Sequence, residues 1–188
     1  LLGLVGSEMC IRDSPYSRQS INNEDISSVI KVLKSDLITQ GPLVELFEKK
    51  VTDTVKAKFG VSTNSATSAL HIACLALDLN KSDIVWTSPI SFVASANCAI
   101  YCGAKVDFVD IDLKTGLISI KKLSEKLEKA KKSNTLPSLI IPVHLGGASC
   151  DMTEIKKLSD KYGFKIIEDA SHALGGKYEN NYVGGCQY

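Results

Sequence analysis

The chain has 188 residues, 44% of them apolar and 23% charged, and a formal net charge of +1. This is globular composition with enough length to bury one real core, and near neutrality provides no field that would gather nucleic acid or an anionic membrane. No apolar run approaches the ~20 residues a membrane span needs, and the LLGLVG opening lacks the basic region of a signal peptide.

Residues 22–34 begin with Asn22 and two acids, after which Ile26, Val29, Ile30 and Leu33 recur at i, i+3, i+4 and i+7. That spacing predicts an amphipathic helix with an acidic first turn. ITQGP (38–42) breaks it, and Phe47, Val51 and Val55 predict a second helix that stops near Gly60. The pattern then alternates. A helix over 65–77 precedes a strand over 84–88, and PISFVASANCAIYCG (89–103) reads as a helix. A strand over 105–112, a charged helix over 118–132 and an apolar strand over 138–145 follow. Residues 151–163 read as a helix with a capping Asp and a terminal Gly, and 164–170 as another buried strand. GGAS (146–149) and the GGKYENNYVGG region read as loops, and no linker divides the chain. Helices alternating with nearly continuous apolar strands predict an α/β fold, three-layered around a mostly parallel sheet.

The cysteines are Cys10, Cys74, Cys98, Cys102, Cys150 and Cys186, with no C-x-x-C pair among them. No metal site is expected. The reading is free, mostly buried thiols of a cytoplasmic protein, with Cys98 and Cys102 placed to share a helix face.

Ligands of open parallel sheets bind beyond the carboxyl ends of strands, which directs attention to three segments. Asn64–Leu70 opens a helix with small hydroxyl residues, either plain caps or a phosphate site built on free N–H groups and the helix dipole. Ser88–Ala94 puts Phe92 just after a strand end, as core or as a ligand platform. Ile166–Gly175 puts Glu168 and Asp169 at the end of a buried strand, with His172 three residues on. A carboxylate there either caps a helix or faces a ligand crevice.

The order of these segments, through LITQGP, NSATSAL, PISFVASAN, GAKVDFVDID, PVHLGG, EDASHALG and VGG, resembles the DegT-like sugar aminotransferases, which are fold-type I pyridoxal phosphate enzymes. The resemblance runs from about Tyr16 to Tyr188. It implies that this is the N-terminal part of the large, cofactor-binding domain, and that pyridoxal 5′-phosphate is the cofactor. It implies that Asp169 pairs with the pyridine nitrogen, that His172 lies near the ring's phenolic oxygen and that Phe92 stacks on the ring. Ser65, Ala66 and Thr67 match the phosphate cradle. Tyr16 and the segment Asp36, Leu37, Ile38 and Thr39 match places where family members meet a nucleotide-sugar. The motif set looks most like the pseudaminic-acid branch. This implies transfer of an amino group from glutamate to carbon 4 of a UDP-linked 4-keto-6-deoxy-N-acetyl-hexose, by a homodimer in the cytoplasm. Another nucleotide-sugar 3- or 4-aminotransferase, a sugar dehydratase of the same fold and a non-catalytic cofactor-binding fragment stay open as alternatives.

In the family, the Schiff-base lysine that carries the cofactor follows the Asp after a further strand. No lysine here occupies that place, and Lys165 and Lys177 read as exposed strand-end residues. The chain is therefore expected to be inactive alone, to lack the C-terminal domain and to expose surface prone to aggregation. Residues 1–14, ending EMCIRDS, resemble one reading frame of a transposase-type sequencing adapter and are read as a non-native tail, with 15–188 as the segment proper.

Overall fold

The computed structural model describes residues 18–185. The adapter reading of 1–14, Tyr16, Cys10 and Cys186 lie outside the described residues. The chain divides into two compact units, Leu1–Pro42 and Leu43–Tyr188, each described by itself.

The first unit holds α1 (Asn23–Leu33). Its start is fixed by a capping box: the Asn22 side chain accepts the N–H groups of Glu24 and Asp25, and the Asp25 carboxylate accepts the Asn22 N–H. This offsets the orphan donors of the first turn. The predicted apolar stripe is present, but Ile26, Val29, Ile30 and Leu33 are all exposed. Asp36, Leu37, Ile38 and Thr39 follow in irregular, exposed backbone.

The second unit contains α2 (Pro42–Val55) from its second residue on, α3 (Ala66–Ala76), β1 (Ile84–Thr87), α4 (Ala94–Tyr101), β2 (Lys105–Phe108), α5 (Ile120–Ser133), β3 (Leu139–Ile141), α6 (Met152–Tyr162), β4 (Lys165–Ile166), β5 (Lys177–Tyr178) and β6 (Asn181–Tyr182). Strands β1 to β4 form one parallel sheet in the order β2-β1-β3-β4. Successive side chains point to opposite faces, so each central strand feeds two cores. Val85, Leu139 and Ile141 pack with Leu70, Cys74, Cys98 and Ala99 of α3 and α4. Trp86 and Ile140 pack with Leu123, Leu127, Met152 and Ile155 of α5 and α6. Burial on both faces is why these strands read as unbroken apolar runs. β2 is an edge strand and largely exposed; Lys126 reaches back to it, pairing with Asp107 at 2.6 Å and donating to the Phe108 carbonyl at 2.5 Å.

The structure corrects several boundaries. α2 ends at Val55, short of Gly60, because Lys56 turns left-handed at φ 63°. Gly60 then lets the chain pass close to the helix: a Cβ there would sit 2.7 Å from Thr52 Cγ2. α4 begins at Ala94 rather than 89, leaving Pro89–Val93 as a turn. The strand expected over 138–145 is interrupted after Ile141, where Pro142 has no N–H for the ladder. The strand expected over 164–170 shortens to Lys165–Ile166, with an isolated parallel bridge joining Val143 to Asp169. GGKYENNYVGG is no simple loop: β5 and β6 form a hairpin whose turn puts Glu179 at φ 53°. Glu-Asn is not a usual turn dipeptide, so the hairpin had no sequence signal. The Asp151 cap and the left-handed Gly163 terminus of α6 are as expected. Among the described residues no helix is long and apolar enough to cross a membrane.

Candidate functional site

The chain leaves β1 toward β2 on one side and reaches β3 on the other, so the sheet reverses its strand order at β1. Such a switch point opens a crevice at the carboxyl ends of the strands. A cleft lies there, lined by Ala66, Thr67, Phe92, His144, Asp169 and His172 among others. Five of the six residues singled out in the sequence for cofactor contact thus meet around one cleft. They come from three places: the start of α3, the turn before α4 and the end of the β4 segment.

Asp169 is the most constrained of them. It is 6% exposed, and its backbone is held on both sides, its N–H to the Pro142 carbonyl at 2.9 Å and its carbonyl to the His144 N–H at 3.0 Å. Its Oδ2 accepts the Ser95 hydroxyl at 2.6 Å, and its Oδ1 accepts the Ser171 hydroxyl at 2.6 Å and the Ser171 N–H at 3.2 Å. An ionised carboxylate offers about four acceptor positions, so these three donors leave capacity for one more. A buried charge is tolerated only when hydrogen-bonded in this way.

Phe92 is 70% exposed at the cleft wall, so the core reading fails for it. The turn before α4 explains this: a helix begun at 89 would have included Phe92, whereas the actual start at Ala94 buries Ala94, Ser95, Cys98 and Ala99 instead. Ser65 is the N-cap of α3. Its hydroxyl accepts the Ser68 N–H at 3.2 Å, and it is not among the cleft-lining residues. Ala66 and Thr67 are in the cleft wall, in the first turn of α3, where N–H groups have no intrahelical acceptor and the dipole is positive. An anion is favoured there.

Sequence reading missed His144, Ser95, Ser91 and Ser171. His144 is fully buried, receives the Cys150 N–H on Nδ1 at 3.0 Å and faces Glu168 Oε2 through Nε2 at 3.0 Å. Because Nδ1 accepts a hydrogen bond, the proton sits on Nε2 and is donated to Glu168. Ser95 carried one usable signal: it lies one helical turn past Phe92 within a run of small residues.

The cysteines bear on packing. Hydrogen bonding to the Cys98 sulfur and burial push the Cys74 thiol far up, and burial pushes the Cys150 thiol up to about 12. Cys98 is buried on α4 while Cys102, its C-cap, is only partly so. Among the described residues no cluster of His, Cys, Asp and Glu could hold a metal. Lys165 and Lys177 are exposed, and among the described residues no lysine lines the cleft.

Comparison with known proteins matches residues 19–187 to the model of the DegT/DnrJ/EryC1/StrS aminotransferase family. A UDP-4-amino-4,6-dideoxy-N-acetyl-beta-L-altrosamine transaminase of Campylobacter jejuni (strain 81-176) is 43% identical over 169 residues, covering 90% of this chain and 44% of that protein. The spore coat polysaccharide biosynthesis protein SpsC of Bacillus subtilis (strain 168) is 38% identical over 170 residues, covering 90% of this chain and 42% of its own length. Among solved structures, Helicobacter pylori PseC, an aminotransferase involved in the biosynthesis of pseudoaminic acid, superposes with a TM-score of 0.81 at 33% identity, over 90% of this chain and 44% of that one. The chain therefore spans less than half the length of these relatives.

Proposed function

Because the chain belongs to the DegT/DnrJ/EryC1/StrS aminotransferase family, we propose that it is the N-terminal part of the large domain of a pyridoxal phosphate-dependent sugar aminotransferase. Its acceptor is a UDP-linked 4-keto-6-deoxy-N-acetyl-hexose, aminated at carbon 4 with glutamate as donor. The single observation that carries the cofactor assignment is Asp169: a buried, hydrogen-bonded carboxylate with spare acceptor capacity, in the same cleft as the first turn of α3.

The residues present fit the cofactor. Asp169 would accept a ring N–H, Thr67 and Ala66 at the helix start would hold the phosphate, and exposed Phe92 would cover a ring face. His172 stands in the same cleft and would lie near the phenolic oxygen. When bound, the protonated ring supplies an electron sink for removing a proton from the amino donor. Asp169 keeps the ring nitrogen protonated, because a buried anion beside it favours the charged form. His144 orients Glu168 at the neighbouring position. Tyr16 and the segment 36–39 are assigned to the nucleotide-sugar, and the active assembly is a cytoplasmic homodimer. The sugar assignment is supported by the likeness to the Campylobacter and Helicobacter proteins, and glutamate as donor follows from the family resemblance alone.

With no lysine among the described residues that line the cleft, the 188-residue chain is expected to bind the cofactor without turning over. Equilibrium dialysis against pyridoxal 5′-phosphate and against pyridoxal tests this. The phosphorylated compound should bind at one equivalent and at least ~10-fold more tightly, since a helix N-terminus and its N–H groups recognise the phosphate. Equal affinities, no binding, or amino transfer from glutamate by this chain would count against the reading.

A further inference from the structure

We infer that Ser95 and Ser171 are positioning residues that clamp the Asp169 carboxylate toward the ring nitrogen, an inference that rests on the cofactor reading above. The two serines approach from different elements. Ser95, 1% exposed, lies in the first turn of α4 and takes Oδ2 at 2.6 Å. Ser171 lies two residues past Asp169 and takes Oδ1 with both its hydroxyl and its N–H. Neither oxygen of the carboxylate is left to choose its own orientation.

The direction of the hydrogens follows from chemistry. Ser95 Oγ has three neighbours: Asp169 Oδ2 at 2.6 Å, Ser91 Oγ at 2.7 Å and the Phe92 carbonyl at 3.2 Å. It has one hydrogen. The ionised carboxylate can only accept, and charge-assisted bonds are the shorter and stronger ones. The Ser95 hydrogen therefore goes to Asp169, and Ser91 donates to Ser95. The result is a directed chain, Ser91 to Ser95 to Asp169, that starts at the cleft wall, where Ser91 is a lining residue, and ends at the buried charge. Polarisation along such a chain strengthens its last bond. A carboxylate held this way loses no rotamer freedom when the ring arrives, which is how preorganisation raises affinity.

The test separates positioning from support of the fold. The 188-residue chain and its Ser95→Ala, Ser171→Ala and Ser171→Thr variants are titrated with pyridoxal 5′-phosphate and with its 1-deaza analogue, whose ring carries C–H in place of the nitrogen. Each alanine variant should weaken pyridoxal phosphate binding roughly 3- to 30-fold while leaving the deaza analogue within about twofold. Ser171→Thr, at an exposed position that keeps its hydroxyl, should bind as the unaltered chain does. Equal weakening of both compounds, or no weakening of either, in the Ser171 variant overturns the inference even if Ser95→Ala fails to fold. If the unaltered chain binds pyridoxal phosphate tightly in that case, the cofactor reading stands without the clamp. If it binds neither compound, the cofactor reading itself fails and takes the clamp with it.

Discussion

Replacing Asp169 by Asn alters charge while keeping shape, and the structure says what should happen at each atom. The amide oxygen can stay with Ser171, keeping both donors that now reach Oδ1. The amide nitrogen takes the place of Oδ2 and cannot accept from Ser95, whose hydroxyl then turns to the Phe92 carbonyl, already 3.2 Å away. No buried donor is stranded, so the fold loses about one charge-assisted bond, roughly 1.5–3 kcal/mol at most. The cofactor loses more specifically: its ring nitrogen faces an amide N–H instead of an anion. A hydrogen bond to a charged group contributes about 1.5–3 kcal/mol, which is roughly a 10- to 150-fold rise in Kd. Equilibrium dialysis gives the Kd, and urea denaturation of the same samples gives the stability loss. An Asn variant that remains folded and binds pyridoxal phosphate with the unaltered Kd would refute the role of Asp169 and the arithmetic built on it.

Two further outcomes follow from the same geometry. Gly147 sits at φ 87°, and a Cβ there would meet the His172 carbonyl oxygen at 3.0 Å, so Gly147→Ala should cost about 1–3 kcal/mol and weaken cofactor binding by displacing the 172 segment, read by denaturant midpoint and dialysis together. Cys150 has its folded pKa raised by burial to about 12, so its neutral form stabilises the fold fully below the unfolded thiol value near ~8.5. That stability should drain as pH rises between the two, with a slope of up to ~1.4 kcal/mol per pH unit, and Cys150→Ala should flatten the alkaline limb of a stability–pH curve; an unchanged limb would mean that the thiol titrates as if exposed.

What the sequence by itself determined is local or periodic in origin. The 3.6-residue stripe of α1, its Asn22 start, the Asp151 cap and the Gly163 stop of α6 depend on neighbours within one turn, and all of them are where the pattern put them. The apolar runs around Val85 and Ile140 announced strands buried on both faces, and hence a parallel sheet. The ordered motifs carried Asp169, Phe92, Thr67 and His172 to notice before any geometry was available. The tertiary structure decided the rest, because it depends on groups far apart in the chain. Strands were trimmed where Pro142 interrupts the ladder, and the 177–182 hairpin formed on a turn without the usual residues. Phe92 became a cleft wall only because α4 starts late. Above all, Ser95 and Asp169 are 74 residues apart, and no spacing rule could have joined them. Buried charge demands donors from wherever the fold can supply them, so the partners of such a carboxylate become legible only once the chain has folded around it.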